Sequence, residues 1–220
     1  YILDNHPKMI KEVYLVKEID KKLFKRFMDL GVKIIRPDNQ KAQALAKGGN
    51  HQGFLLNIDE FDFADIKDVK KHEFIVVLDG LSDTGNIGAI VRSCYAMGVD
   101  SIVVCGHKHF YPTPIVRTSS GAMLDMPIAN YYNSYDLANE LKQVGFSLVG
   151  ADMEGFEVKD IQREKGQKTA LFLGNESTGL SGKLKKKLDL KVSIGMANNF
   201  DSLNVSVAAG ILIYELDRKS

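Results

Sequence analysis

From Phe74 onward, short β-branched runs alternate with helical stretches, and that alternation constrains the fold more than any other feature of the chain. The runs are FIVVLDG (74–80), SIVVCG (101–106), SLVGA (147–151), TALFLG (169–174) and KVSIG (191–195). Helical patterns occupy 86–97, 134–144, 181–188 and 202–217. Strands separated by helices imply an α/β fold with a parallel sheet covered on both faces. Ligands of such sheets bind at the carboxyl ends of the strands. The polar segments to inspect are therefore DGLSDTGNIGAIVRS after the first strand, GNESTGLS after the fourth and GMANNFDSLN after the fifth.

A small α/β unit over residues 1–57 precedes this pattern. It reads as strand (12–16), helix closed by Gly31 (21–31), strand (32–36), helix with Asn39 as candidate cap (39–49) and strand (53–58). The charged, weakly patterned stretch DEFDFADIKDVKKHE (59–73) suits a linker. The expected organisation is a small domain at 1–57, a linker at 58–71 and the larger domain at 72–220. Net charge is only +1, yet the first 57 residues carry eleven Lys and Arg against six Asp and Glu. That surplus suits a polyanion such as RNA, and it equally suits a lysine-rich solvated surface. Cys94 and Cys105 lie in apolar contexts and give no metal spacing. The apolar runs are too short to span a membrane. No secretion signal is legible, so a cytoplasmic protein without a metal site is expected.

The polar segments exclude two familiar nucleotide sites: neither G-x-G-x-x-G nor G-x-x-x-x-G-K-[ST] is present. Asn86 stands near a helix start, and Arg92 follows within the apolar GAIVRSCYAMG, where a buried guanidinium needs an anionic partner. A substrate phosphate or a structural carboxylate would serve. Ser181 is a candidate helix cap, and Glu176 by itself reads as a solvated turn residue. Ser202 and Asn204 stand at the mouth of the last helix, where capping is the simplest role.

Taken in order, the segments are more specific. Asn86–Gly88–Arg92, then Gly174–Asn175–Glu176–Gly179–Leu180, then Ile194–Met196 with Ser202–Leu203–Asn204 resemble the three motifs of the TrmH (SpoU) family. That family comprises RNA ribose 2′-O-methyltransferases of the SPOUT superfamily. The resemblance covers roughly residues 72–220. HQG (51–53) and the small unit before it resemble the substrate-binding domain of the RlmB-type members, which methylate a guanosine of large-subunit (23S) ribosomal RNA. Two departures stand out: Gly195 replaces the proline usual between the Ile and Met of the third motif, and the opening strand of the small domain is expected to be absent.

The resemblance implies S-adenosylmethionine as methyl donor and a C-terminal trefoil knot around its pocket. By correspondence Leu173, Gly174, Asn175, Ile194, Met196 and Leu203 would line that pocket. Asn86, Arg92, Glu176, Ser202 and Asn204 would serve catalysis. The chemistry is transfer of a methyl group to a ribose 2′-hydroxyl. Arg92 corresponds to a residue cast as general base, but guanidinium stays protonated in proteins and makes a poor base. Arg92 is therefore expected to bind a target phosphate and stabilise developing alkoxide charge. Asn86 would brace Arg92 or the ribose, while Glu176 and Asn204 orient the loop. The family further implies a homodimer with the final helix VSVAAGILIYEL at its interface. His51, Arg117, Ser119 and Ser120 are candidate RNA contacts, the last three within RTSSGAMLDMPI (117–128), which resembles a loop and helix near the RNA entrance. Methylation of a tRNA ribose, a non-catalytic RNA-binding role, and a resistance methyltransferase acting on another ribosomal nucleotide are the alternatives.

Overall fold

A computed structural model describes every residue except 47–52, 108–109, 162, 165, 199–201 and 218–220. The chain divides into two compact units, Tyr1–Phe61 and Asp62–Ser220. The division falls inside the charged stretch read as a linker.

The smaller unit runs α1 (Ile2–Asn5), β1 (Ile10–Leu15), α2 (Lys21–Asp29), β2 (Lys33–Ile35), α3 (Asn39–Leu45) and β3 (Phe54–Ile58). β1 is central, parallel to β2 and antiparallel to β3. Its inward residues Ile10, Val13 and Leu15 meet Phe27 of α2 in one small core, with Leu23 and Phe24 packed against it. Asp20 starts α2 by accepting from the amides of Lys22 and Leu23. Gly31 follows the helix with φ of 66°, the left-handed conformation that ends helices. Asp38, not Asn39, caps α3, accepting from the Lys41 amide at 2.7 Å. A carboxylate one residue earlier also complements the positive end of the helix dipole.

The larger unit continues with α4 (Ile66–Val69), β4 (Phe74–Asp79), α5 (Thr84–Met97), β5 (Ser101–Cys105), α6 (Pro112–Thr118) and β6 (Ile128–Tyr131). α7 (Ser134–Gln143), β7 (Ser147–Glu157), β8 (Thr169–Leu173), α8 (Gly182–Lys185), β9 (Leu190–Ser193) and α9 (Val205–Leu216) complete it. Six strands lie in the order β6-β5-β4-β8-β7-β9, each parallel to its neighbours. Phe74 to Leu78 are buried without alternation, as a strand covered on both faces requires. Ile75, Val77, Val103 and Phe172 pack with Val69 of α4, Leu137 and Leu141 of α7, and Leu184 of α8. The opposite face falls to α5 and α9, which bury Ile87, Ile90, Val91 and Cys94, and Ala209, Leu212, Ile213 and Leu216. Each such Leu, Ile or Val contributes roughly 1.5–3 kcal/mol when fully buried.

Several stretches differ from their sequence reading. β3 ends at Ile58 as the strand read over 53–58 implies, but the supposed linker after it contributes a fully buried Val69 to the core through the Asp65-capped α4. Most of its charges are exposed, and they mask the apolar anchor made by Val69 with Ala64 and Ile66 beside it. α6 and β6 are additional elements around the segment read as loop and helix at 117–128. α6 begins with prolines, which its first turn tolerates because that amide needs no helical partner. β6 is short and polar past Ala129, so its sequence carries no strand alternation. β7 extends six residues beyond the expected Ala151, with Ala151 and Phe156 both registered on Val192 of β9.

Register decides where the polar segments emerge. Asp79 pairs with Cys105, Leu78 with Leu173 and Cys105 with Tyr131. The strands thus end together, and the segments after β4 and β8 leave the sheet side by side. The connection from β7 to β8 crosses the far end of α9: the Arg163 amide donates to the Leu216 carbonyl at 3.1 Å, and the Arg163 guanidinium pairs with Asp217 at 2.8 Å.

Candidate active site

Asp83 starts α5, its carboxylate accepting from the Asn86 amide at 2.6 Å. With the backbone capped by Asp83, the Asn86 side chain is free for other work. Its Nδ2 donates to Glu176 Oε1 at 3.2 Å. Its Oδ1 accepts from Asn204 Nδ2 at 3.0 Å. Residues separated by 90 and 118 positions in the chain thus meet in one line. A carboxamide suits the middle place because it donates and accepts from one planar group.

Asn204 has two roles. Its Oδ1 caps α9, accepting from the Ser206 amide at 2.8 Å and the Ser206 hydroxyl at 2.6 Å, while its Nδ2 reaches Asn86. Capping and site-building therefore use opposite ends of one side chain. Ser202 lies exposed two residues earlier.

The turn after β8 is held independently. Asn175 Nδ2 donates to the Gly80 carbonyl at 2.9 Å, tying this turn to the segment after β4. Asn175 Oδ1 accepts from Ser177 and Thr178 amides, and Asn175 bridges to Gly179. A Cβ on Gly174 would stand 2.3 Å from the Gly179 carbonyl carbon and 2.4 Å from the Leu180 amide nitrogen. Two backbone segments approach there at a distance only glycine allows. Leu173 itself is buried, so it can present backbone but not side chain to a ligand.

Arg92 differs from its expected burial. α5 turns Ile87, Gly88, Ile90, Val91 and Cys94 inward, which leaves Arg92 on the solvent side. Among the described residues no carboxylate pairs with it; its Nη1 donates to Ser120 Oγ at 3.4 Å. The apolar neighbours that suggested burial belong to the other face of the helix. Gly88 sets the spacing to α6: a Cβ there would lie 2.0 Å from Thr118 Oγ1, and that hydroxyl donates to the Thr84 carbonyl at 2.8 Å.

The candidate RNA contacts separate. Arg117 is exposed in the last turn of α6, and Ser120 meets Arg92. Ser119 is fully buried, its hydroxyl donating to the Val116 carbonyl and accepting from the Met123 amide. It holds the turn and offers no surface to RNA. His51 lies outside the described residues.

Ile194 and Leu203 are half-buried, and Met196 is exposed on the segment after β9. Gly195 keeps an ordinary negative-side φ, and a Cβ there would meet the Glu157 carboxylate at 2.9 Å. Glu157 belongs to the extension of β7 that sequence reading left out. Gly155 of the same extension accepts from Ser193 Oγ at 2.9 Å, and its Cβ would meet Lys191 backbone at 2.6 Å. Asp152 at its start pairs with Lys185 at 2.9 Å. Burial works to raise its carboxyl, but the Lys185 ammonium and the Glu154 amide hold it below the ordinary value. The carboxyl ends of β8, β7 and β9 therefore form one continuous rim. Position after a strand was the signal available for 152–157; its polar composition hid it.

Comparison with known proteins bears on both units. Residues 73–214 match the SpoU rRNA methylase family, and residues 1–64 match a domain described as RNA 2′-O ribose methyltransferase substrate binding. YacO of Bacillus subtilis, named as a TrmH family tRNA/rRNA methyltransferase, is 33% identical over 78% of this chain and 72% of its own. A protein of Borreliella burgdorferi named as a tRNA/rRNA methyltransferase is 31% identical over 86% of this chain and 88% of its own. The crystal structure of the SpoU methyltransferase AviRb from Streptomyces viridochromogenes with AdoMet superposes with a TM-score of 0.75 at 26% identity, covering 94% of this chain and 81% of that one. With its three motif segments joined through Asn86 and both units matched, the chain belongs to the SpoU methylase family of RNA methyltransferases.

Proposed function

We propose that this protein methylates a ribose 2′-hydroxyl of RNA with S-adenosylmethionine as donor, on a guanosine of large-subunit ribosomal RNA. The observation that carries the reading is the Asn204–Asn86–Glu176 line with the exposed cation Arg92 less than two turns further along α5. The rim of β8, β7 and β9 fits the donor. Gly174 and Gly155 let neighbouring backbone segments pack closely and so fix the shape of the rim, and Ile194, Met196 and Leu203 add apolar surface for an uncharged ring. Leu173, Gly174, Asn175, Ile194, Met196 and Leu203 would hold it. When bound, S-adenosylmethionine supplies a methyl group activated by its sulfonium.

The chain's own residues supply orientation and charge. Asn86, fixed by Glu176 and Asn204, presents its amide plane to the ribose, and holding reactants in line is worth several kcal/mol of barrier. Arg92 binds a phosphate of the target and stabilises negative charge growing on the 2′-oxygen. That phosphate or a water takes the proton. The crossing of the β7–β8 connection over the end of α9 supports a knotted chain path, in which a late helix lies beneath an earlier loop. Val207 and Tyr214, both more than half exposed on α9 beside Met97 of α5, support a homodimer through this face. A cytoplasmic location suits an RNA substrate.

The reading is tested by methyl transfer from labelled S-adenosylmethionine to unmodified ribosomal RNA and tRNA, followed by nucleoside analysis. The expected product is 2′-O-methylguanosine from large-subunit RNA. Label confined to tRNA overturns the substrate and keeps the chemistry. Cofactor binding without label in either overturns the enzymatic reading.

The double role of Asn204 gives a second expectation. Asn204→Ser keeps a good cap and removes the amide donor, so stability should hold within about 0.5 kcal/mol while turnover falls. Asn204→Ala should lose turnover and about 1 kcal/mol as well. Thermal unfolding read beside methyl transfer separates the two; a Ser variant with full turnover would reduce Asn204 to a cap.

A further inference from the structure

Among the described residues, two that are not glycine hold a left-handed backbone: Ser120 at φ 57° and Asn198 at φ 59°. Asn198 lies on the segment that leads to Asn204. Asparagine enters this conformation readily, whereas serine has no such tolerance. Ser120 therefore needs a reason.

The Ser120 amide donates to the Arg117 carbonyl at 3.1 Å and the Gly121 amide to the Val116 carbonyl at 2.8 Å. These are the paired bonds of a Schellman motif closing α6, with Ser120 at the left-handed position that glycine normally fills. The bonds of buried Ser119 lock the same turn, so the strain is held by its surroundings rather than relieved. The glycine stands one place later, at 121. What the serine adds is its hydroxyl, and that hydroxyl accepts from Arg92 Nη1 at 3.4 Å.

We propose that Ser120 is a positioning residue for Arg92. The bond is long, so it acts by limiting the swing of the guanidinium. An exposed arginine otherwise samples many rotamers, and its loss of freedom must be met before it can face a phosphate. The turn after α6 meets that cost in advance. Strained backbone fixed by its neighbours beside an active site commonly serves such preorganisation. Arg92 is then aimed by two elements: α5 carries it and the α6 turn holds it. The proposal rests on the assignment of Arg92 to the target phosphate.

The test uses Ser120→Gly and Ser120→Asn in the full chain. Glycine relieves the backbone and removes the acceptor. Asparagine tolerates the backbone and offers Oδ1 in its place. Four quantities are read: melting temperature, affinity for S-adenosylmethionine, kcat on RNA, and 15N relaxation of the Arg92 Nε–H without RNA. Ser120→Gly should melt at the same temperature or higher, bind cofactor unchanged and lose roughly tenfold in kcat, within the 10²-fold that misplacement can cost. Its Arg92 Nε should become more mobile, and Ser120→Asn should restore both order and rate. An Arg92 Nε as ordered in Ser120→Gly as in the parent overturns the proposal. So does a kcat loss that travels with a lower melting temperature. If the parent transfers no methyl group while Arg92 still loosens in Ser120→Gly, the positioning stands and the proposed function fails.

Discussion

Arg92→Ala should lower kcat by about 10²–10³-fold, the range seen when one donor to a developing oxyanion is removed, with S-adenosylmethionine affinity unchanged. α5 decides where the residue sits. The helix buries one face against the sheet and leaves Arg92 in solvent, with a serine hydroxyl as its hydrogen-bond acceptor and no carboxylate paired among the described residues. A cation that no carboxylate among the described residues neutralises, on the helix that follows β4, is available to a phosphate. Arg92→Lys keeps the charge but loses the fork, and a single ammonium reproduces bidentate phosphate geometry poorly. It should recover only part of the rate. Single-turnover kinetics and cofactor titration on the same preparations decide the matter. Equal losses in rate and cofactor affinity would move Arg92 into the cofactor pocket.

The fold was legible in the sequence where burial was two-sided. FIVVL and TALFL are continuous apolar runs because both faces of the sheet are covered. The elements that escaped lack that mark. β6 has only Ile128 and Ala129 buried, α4 offers one buried valine within a charged segment, and the end of β7 is polar because it borders the rim rather than the core. Caps are legible to within a residue: Ser181 caps α8 as its position suggests, whereas Asp38 rather than the neighbouring Asn39 caps α3. The site residues were legible only as an ordered set, through resemblance. No local pattern reveals that Asn86 bonds both Glu176 and Asn204, since that line exists only after β4, β8 and α9 are assembled. The burial expected of Arg92 fails for the same reason. Sequence gives the apolarity of a helix, whereas exposure depends on which face meets the sheet.

Gly174→Ala should damage both stability and cofactor binding. The added methyl group has nowhere to go: at 2.3 Å from the Gly179 carbonyl carbon and 2.4 Å from the Leu180 nitrogen it meets backbone on the facing segment. A flexible side chain could rotate away, but these atoms are fixed by the Asn175–Gly179 bridge and by buried Leu180. The turn must open, which strains the Asn175 bond to Gly80 and carries Glu176 away from Asn86. Overpacking of this kind costs about 1–3 kcal/mol. For a chain of this length that lowers the melting temperature by roughly 3–10 °C. Cofactor affinity should fall at least about tenfold, because the same backbone lines the rim and tenfold needs only 1.4 kcal/mol. Gly182→Ala provides the control. Nothing lies within 4 Å of its Cβ, and it stands just inside Ser181-capped α8, so stability and affinity should stay as they are. If Gly174→Ala melts and binds like Gly182→Ala, the close approach of the β8 turn to Leu180 does not shape the cofactor site.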